Sequence, residues 1–259
     1  MKSSFNSLEM VLILFQYFFW IHLITGRLVS SNMVIRGLYF VHDYAFDGAF
    51  LNHGLLWQVP VMSLIHCAIR CAENRACISL HFHIGIRKCR GYETLMLTPQ
   101  AGTNEEGWIY YYSTQKGICP HGYAYTRVFD YCVGYEGHFT DDVGFQKCQE
   151  KSGRYMLIHS PEENRFASLL AYNFDSYTDF GQNQMRIQGS FNSSAMAWQD
   201  DFGLNLNFTQ LIPGKEIPSD DSFALLLKNK GDKENFKMTC RQGNGNPSAI
   251  VCVISDEYH

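Results

Sequence analysis

Nine cysteines, the first of them at Cys67, constrain this 259-residue chain more than any other feature. What they can build depends on the compartment, and the N-terminus addresses that. Lys2 is followed by an almost unbroken apolar run from Met10 to Ile24, then by the small residues Gly26, Ser30 and Ser31. This reads as a secretory signal peptide over residues 1–31, because the run is shorter than the roughly 20 apolar residues of a membrane-spanning helix. Gln16 and His22 interrupt it. An uncleaved signal anchor is the alternative, and no membrane insertion is expected otherwise. Export places the cysteines where thiols pair. Two sequons agree with a secreted, extracellular glycoprotein, at Asn192 and Asn207, whereas Asn246-Pro247-Ser248 is excluded by its proline.

Composition enters only to exclude. With 46% hydrophobic and 18% charged residues the chain is expected to fold. A net charge of −4 without a basic cluster argues against a nucleic-acid partner. The length allows one or two domains.

The cysteines form two groups. Cys67, Cys71, Cys77 and Cys89 lie close together; Cys119, Cys132, Cys148, Cys240 and Cys252 follow a polar stretch at 98–107, a strand-like run at 108–113 and a short linker at 114–117. In the first group, residues 61–72 show helical periodicity, with Met62, Ile65, Ile69 and Ala72 on one face and Ser63 near the start. Cys67 and Cys71 stand at i and i+4, so both sulfurs leave the same side of that helix and each can pin it to a neighbouring strand. Residues 77–83 alternate and suit one such strand; residues 88–92 suit the next.

A helix carrying Cys-x3-Cys, then Cys after five residues and Cys after eleven more, resembles the PAN/apple domain over about residues 36–114. The resemblance implies the bridges Cys71–Cys77 and Cys67–Cys89. Zinc is the competing reading, since His66, His81 and His83 stand beside four cysteines. It would ask for C-x2-C pairs and a reducing compartment, so the histidines are expected to be strand or surface residues.

The second group opens with Cys119-Pro120-His121-Gly122 and Tyr131-Cys132, then reaches a helix over 141–153 capped by Thr140 or Asp141. Gly153 is expected to end it in the left-handed conformation. Leu157-Ile158-His159-Ser160-Pro161 leads to a second helix over 162–170, whose Glu162 and Glu163 suit the positive end of the helix dipole. This order resembles the C-type lectin-like domain strongly over 119–170. It does so more thinly at 187–189, at Trp198 with Asp200 and Asp201, at 213–214, and in the final strand 249–252. The resemblance implies the bridges Cys119–Cys132 and Cys148–Cys252.

Sugar-binding members of that family hold a calcium ion through a Glu-Pro-Asn or Gln-Pro-Asp loop and an Asn-Asp pair. Calcium wants six to eight oxygens, several of them ionised. Here the loop reads Ile217-Pro218-Ser219, and Phe236 and Lys237 stand at the Asn-Asp positions. No cofactor is therefore expected, calcium included. Glu216, Asp220 and Asp221, with Trp198, are the candidate ligand-binding residues; a displaced calcium site built on Glu216, Asp220, Asp221, Asp200 and Asp201 is the alternative to reading these as solvated loop carboxylates. His159-Ser160 lacks any nucleophile motif around it, so no enzyme activity and no catalytic residue is expected.

The expected architecture is α+β: two small disulfide-stapled modules, an apple-like one of one helix on a sheet (36–114) and a lectin-like one of two helices, small sheets and a long loop region (118–256). The expected function is secreted, non-enzymatic recognition of an extracellular protein or glycan ligand at a cell surface or in matrix. A calcium-dependent carbohydrate-binding lectin or a structural matrix component are the alternatives. Cys240 remains over. Its flanks are polar and glycine-rich, so a partly exposed loop edge and a disulfide-linked oligomer through it are expected, with a quiet free thiol as the alternative.

Overall fold

The computed structural model of the chain describes residues 33–35, 37–115, 117–172, 184–200, 202–209, 211, 223–228, 237–242 and 247–255. Residues 1–31, where a signal peptide is expected, lie outside them. Among the described residues no helix is long and apolar enough to cross a membrane.

The chain begins with β1 (Met33–Ile35), β2 (Leu38–His42), β3 (Ala49–Phe50) and β4 (Leu55–Pro60), then α1 (Leu64–Glu73). β5 (Ser79–His83), β6 (Lys88–Tyr92), β7 (Thr103–Asn104) and β8 (Trp108–Thr114) follow. Six of these strands form one antiparallel sheet in the order β1-β2-β8-β5-β6-β4, with α1 on one face. The alternation of side chains along a strand decides what each face carries. Leu80 and Phe82 of β5 and Tyr111 of β8 pack with Cys67, Ala68 and Cys71 of the helix. Tyr110 and Tyr112 emerge on the other face, into a second apolar cluster. Both faces are covered, which is why β5 is buried from Ser79 to Phe82.

Ser63 caps α1 by accepting from His66 N–H at 3.4 Å, and the helix is shorter at its start than the sequence suggests. Its buried face also differs. Cys67, Ala68, Cys71 and Ala72 are buried, whereas Met62 is 73% and Ile65 58% exposed. The helix carries two overlapping apolar stripes, and the bridges Cys67–Cys89 and Cys71–Cys77 turn the cysteine stripe inward, with Cα–Cα distances of 5.6 and 5.2 Å.

The second half contributes β9 (Ala124–Thr126), β10 (Tyr131–Phe139), α2 (Asp141–Glu150), β11 (Arg154–Tyr155), α3 (Pro161–Tyr172), β12 (Gln184–Asn192) and β13 (Ala197–Gln199). It ends with β14 (Phe223–Lys228), β15 (Lys237–Gln242) and β16 (Ser248–Ile254). These strands join in one eight-stranded sheet, β15-β14-β12-β16-β10-β9, with β11 on β16 and β13 on β12. All pairings are antiparallel except β12 with β16. Cys148–Cys252 ties α2 to β16, and Cys119–Cys132 ties the entry segment to β10. A Cβ on Gly144 would stand 2.6 Å from Ile250 Cδ1, so this glycine lets α2 approach β16 closely enough for the bridge.

The end of α2 departs from expectation. Ser152, not Gly153, takes the left-handed conformation, at φ 56°. Gly153 is required for another reason, because a Cβ there would meet Val253 O at 2.8 Å. The protein is thus α+β, with three α-helices and two main sheets among its described residues and four disulfides. One apolar cluster runs through both halves, from Leu51, Tyr92 and Tyr110 to Val133, Leu170 and Val251.

Candidate functional site

Glu216, Asp220 and Asp221 lie outside the described residues, as do Asp201, Ile217 to Ser219 and Phe236. Trp198 is only 6% exposed, with its ring edge-on to Phe191 at 5.4 Å, so it serves the core and presents no open face to a ligand. Asp200 is buried too. Its Oδ1 accepts from the backbone N–H of Phe202 and of Leu204, at 2.9 Å each, which spends the carboxylate on shaping the loop. The ladder sets Lys237 opposite Lys228, placing two cationic residues at one register position.

Cys240 is a strand residue rather than a loop one: among the described residues β15 is the outermost full strand of its sheet, Leu211 bridges Met238 on its outer side, and the ladder sets Leu225 opposite Cys240. Asn192 closes β12 half-buried, its amide donating to Gln199 Oε1 at 2.9 Å, while Asn207 is exposed. The three histidines of the zinc reading part ways. His66 is exposed beside Ser63, and His83 Nδ1 accepts from Gly85 and Ile86 N–H. His81 is fully buried between Tyr92 and Tyr110, with neither ring nitrogen bonded. Burial and the nearby Arg90 cation hold its pKa down at about 3. Their neighbouring sulfurs are consumed in bridges, and among the described residues no three His, Cys, Asp or Glu side chains gather as a metal site would need.

What the structure does assemble is a seam between the halves. After β9 the chain turns through Arg127, Val128, Phe129 and Asp130, the last at φ 59°. The turn delivers Arg127 to the C-terminus of α1. Its Nη1 donates to Ala72 O at 2.7 Å, and its Nη2 to Cys71 O, Asn74 O and Cys77 O at 2.9, 2.5 and 3.1 Å. A helix C-terminus leaves carbonyls unpaired and carries the negative end of the dipole, so one guanidinium meets both needs. The Cys71–Cys77 bridge closes the same loop. Arg75 Nε answers by donating to Arg127 O at 2.7 Å. Further along, Arg165 of α3 clasps Glu93 through two bonds of 2.5 Å. The paired fork geometry makes this a directional contact as well as an electrostatic one.

Between these two clamps lies a cleft of about 220 Å³. Ile78 comes from the first half; Val128, Phe129 and Phe166 come from the second; Glu162 and the Glu93–Arg165 pair stand in its wall. A second cleft of about 130 Å³ also draws on both halves, with Tyr110, Tyr112 and Tyr135 in its lining. The larger cleft thus combines apolar side chains with the bonded Glu93–Arg165 pair and Glu162.

No protein-family model and no curated protein matches the sequence. Solved structures do match in shape over about half of the chain. One entitled the SPL-1–GlcNAc complex is 16% identical over 54% of this chain and 96% of its own, with a TM-score of 0.42. Human lithostathine is 19% identical over 53% and 91%, with a TM-score of 0.42. The calcium-independent C-type lectin SPL-2 from Saxidomus purpuratus is 17% identical over 53% and 94%, also at 0.42.

The seam was invisible in the sequence. Arg127 carries no motif, and the carbonyls it binds lie 50 to 56 positions earlier in the chain. The one local signal is Ser160-Pro161-Glu162-Glu163. There Ser160 Oγ accepts from Glu163 N–H at 3.1 Å, and Glu163 reaches back to His159 N–H at 2.6 Å, which fixes the start of α3.

Proposed function

We propose that this chain is a secreted, non-enzymatic recognition protein in which an apple-like half (36–114) and a C-type lectin-like half (118–256) act as one unit. It binds an extracellular protein or glycoconjugate at the seam between them, without calcium. The observation that carries this reading is the seam itself: two arginine clamps join the halves and leave an apolar cleft that neither half could form alone. The cysteine spacing and the Cys-Pro-x-Gly to Glu-Asn-x-Phe order support the two named halves. Ile217 and Lys237, at positions where calcium ligands would belong, support independence from calcium.

A glycan array probed in calcium and again in chelator tests the reading. Signals are expected to be equal in the two conditions. A signal lost in chelator would establish the calcium-dependent lectin in its place. Eight of the nine cysteines are consumed in the four bridges, and the ninth, Cys240, supports covalent pairing with another chain. On a non-reducing gel the wild type should then run as a dimer and Cys240→Ser as a monomer; identical monomers would remove this part of the proposal.

A further inference from the structure

We infer that the larger seam cleft receives the basic side chain, Lys or Arg, of a protein partner. This rests on the reading of the seam as the recognition site and names the chemistry of its occupant. Three features of the cleft converge on a cation carried on an apolar stem.

The first is the wall. Phe129 and Phe166, 5.3 Å apart between ring centroids, both line the cleft, so part of its wall is aromatic, a surface that attracts cations. The second is charge. Arg165 is neutralised by Glu93, and Glu163 is spent on capping α3. Glu162 remains, exposed, without a hydrogen-bond or ion-pair partner among the described residues, so the cleft carries one uncompensated negative charge. The positive end of α3 does not reverse this balance, because the Glu163 carboxylate already occupies it. An anionic ligand would face Glu162 unpaired, and a neutral one would leave it unanswered.

The third is the mouth. Val128 is 48% exposed, an apolar rim with nothing among the described residues to cover it. A lysine or arginine side chain matches all three, since its methylene stem covers apolar surface while its head seeks a carboxylate. A volume of about 220 Å³ accommodates one such side chain, not an extended peptide.

The test uses the full chain with its four disulfides, at neutral pH in chelator. It is titrated with N-acetyl-lysine amide, N-acetyl-arginine amide and the uncharged N-acetyl-norleucine amide while backbone amide resonances are followed. The two cationic amides are expected to shift the signals of Val128, Phe129 and Phe166 and to bind at least about tenfold more tightly than the norleucine amide. Glu162→Gln should bring them down to the norleucine level. Val128→Lys, which tethers a cation at the mouth, should abolish the shifts. Both positions are exposed, and a spectrum as dispersed as wild type establishes that each variant is folded. Equal affinity for all three amides, or no shift at those residues up to about 20 mM ligand, overturns the inference. The glycan array separates this from the wider reading. A calcium-independent array signal beside a silent titration overturns the basic-side-chain inference alone, whereas a chelator-sensitive array signal overturns the wider reading.

Discussion

The two halves are held together by different means. In the first, the bridges span 6 and 22 positions, and both staple one helix to strands close in sequence. In the second, Cys148–Cys252 spans 104 positions and sets the last strand, β16, between β10 and the parallel partner β12. Short staples orient a helix but remove little freedom from the unfolded chain. The long one removes much more, because loop-closure entropy grows with the number of residues enclosed. The first half therefore leans on its sheet and its two covered faces, while the second, whose other bridge Cys119–Cys132 spans only 13 positions, gains most from the one long closure. The seam is where one half lends the other stability, through Arg127 on α1.

The largest expected effect tests that contrast directly. Replacing both Cys148 and Cys252 by serine should cost about 5 kcal/mol in chemical denaturation, and replacing Cys71 and Cys77 about 2 kcal/mol, by the loop-entropy relation. Equal losses would break the comparison. Next comes the seam. Arg127→Met removes one charged donor from four carbonyls and should cost about 2–3 kcal/mol. It should also split a single calorimetric transition into two, because the halves would no longer unfold together.

His81 gives a smaller, pH-dependent effect confined to the first half. Buried and neutral, it resists protonation down to about pH 3, whereas an unfolded histidine takes a proton near 6.5. The stability that the neutral ring permits is complete above pH 6.5 and is lost as pH falls toward 3, at no more than about 1.4 kcal/mol per pH unit. His81→Leu should flatten that slope in denaturation curves measured between those limits; an unchanged slope would assign acid sensitivity to other groups. The smallest expected effect is none. Calcium at millimolar concentration should leave the melting temperature of wild type unmoved, whereas a site filled to 100 times its dissociation constant would add about 2.7 kcal/mol.

Some elements could be read directly. β6 spans Lys88–Tyr92 and β8 starts at Trp108, where alternation and aromatic runs place them. The helix at Leu64–Glu73 was legible as a helix, but its inward face was not. Periodicity favoured Met62, Ile65, Ile69 and Ala72, and the side that faces the sheet is set by Cys67 and Cys71. Gly153 was legible as a helix terminator, yet its strictest constraint is the nearby Val253 carbonyl, a neighbour one hundred positions away. Cys240 read as a loop residue because its flanks are polar and glycine-rich; strand pairing with the segment around Leu225 overrides that local signal.

By itself the sequence determined the α+β class and which cysteines lie close enough to staple a helix. Those are properties of composition and of spacing within a few tens of residues, where chain geometry leaves few choices. Only the tertiary structure decided which apolar stripe of α1 is buried, that Trp198 and Asp200 serve the fold, and that a cleft opens between the halves. Each of these depends on surfaces brought together from far apart in the chain. Arg127 shows why: its four carbonyl partners are ordinary backbone groups, identical in every residue, and only folding puts them within reach of one guanidinium.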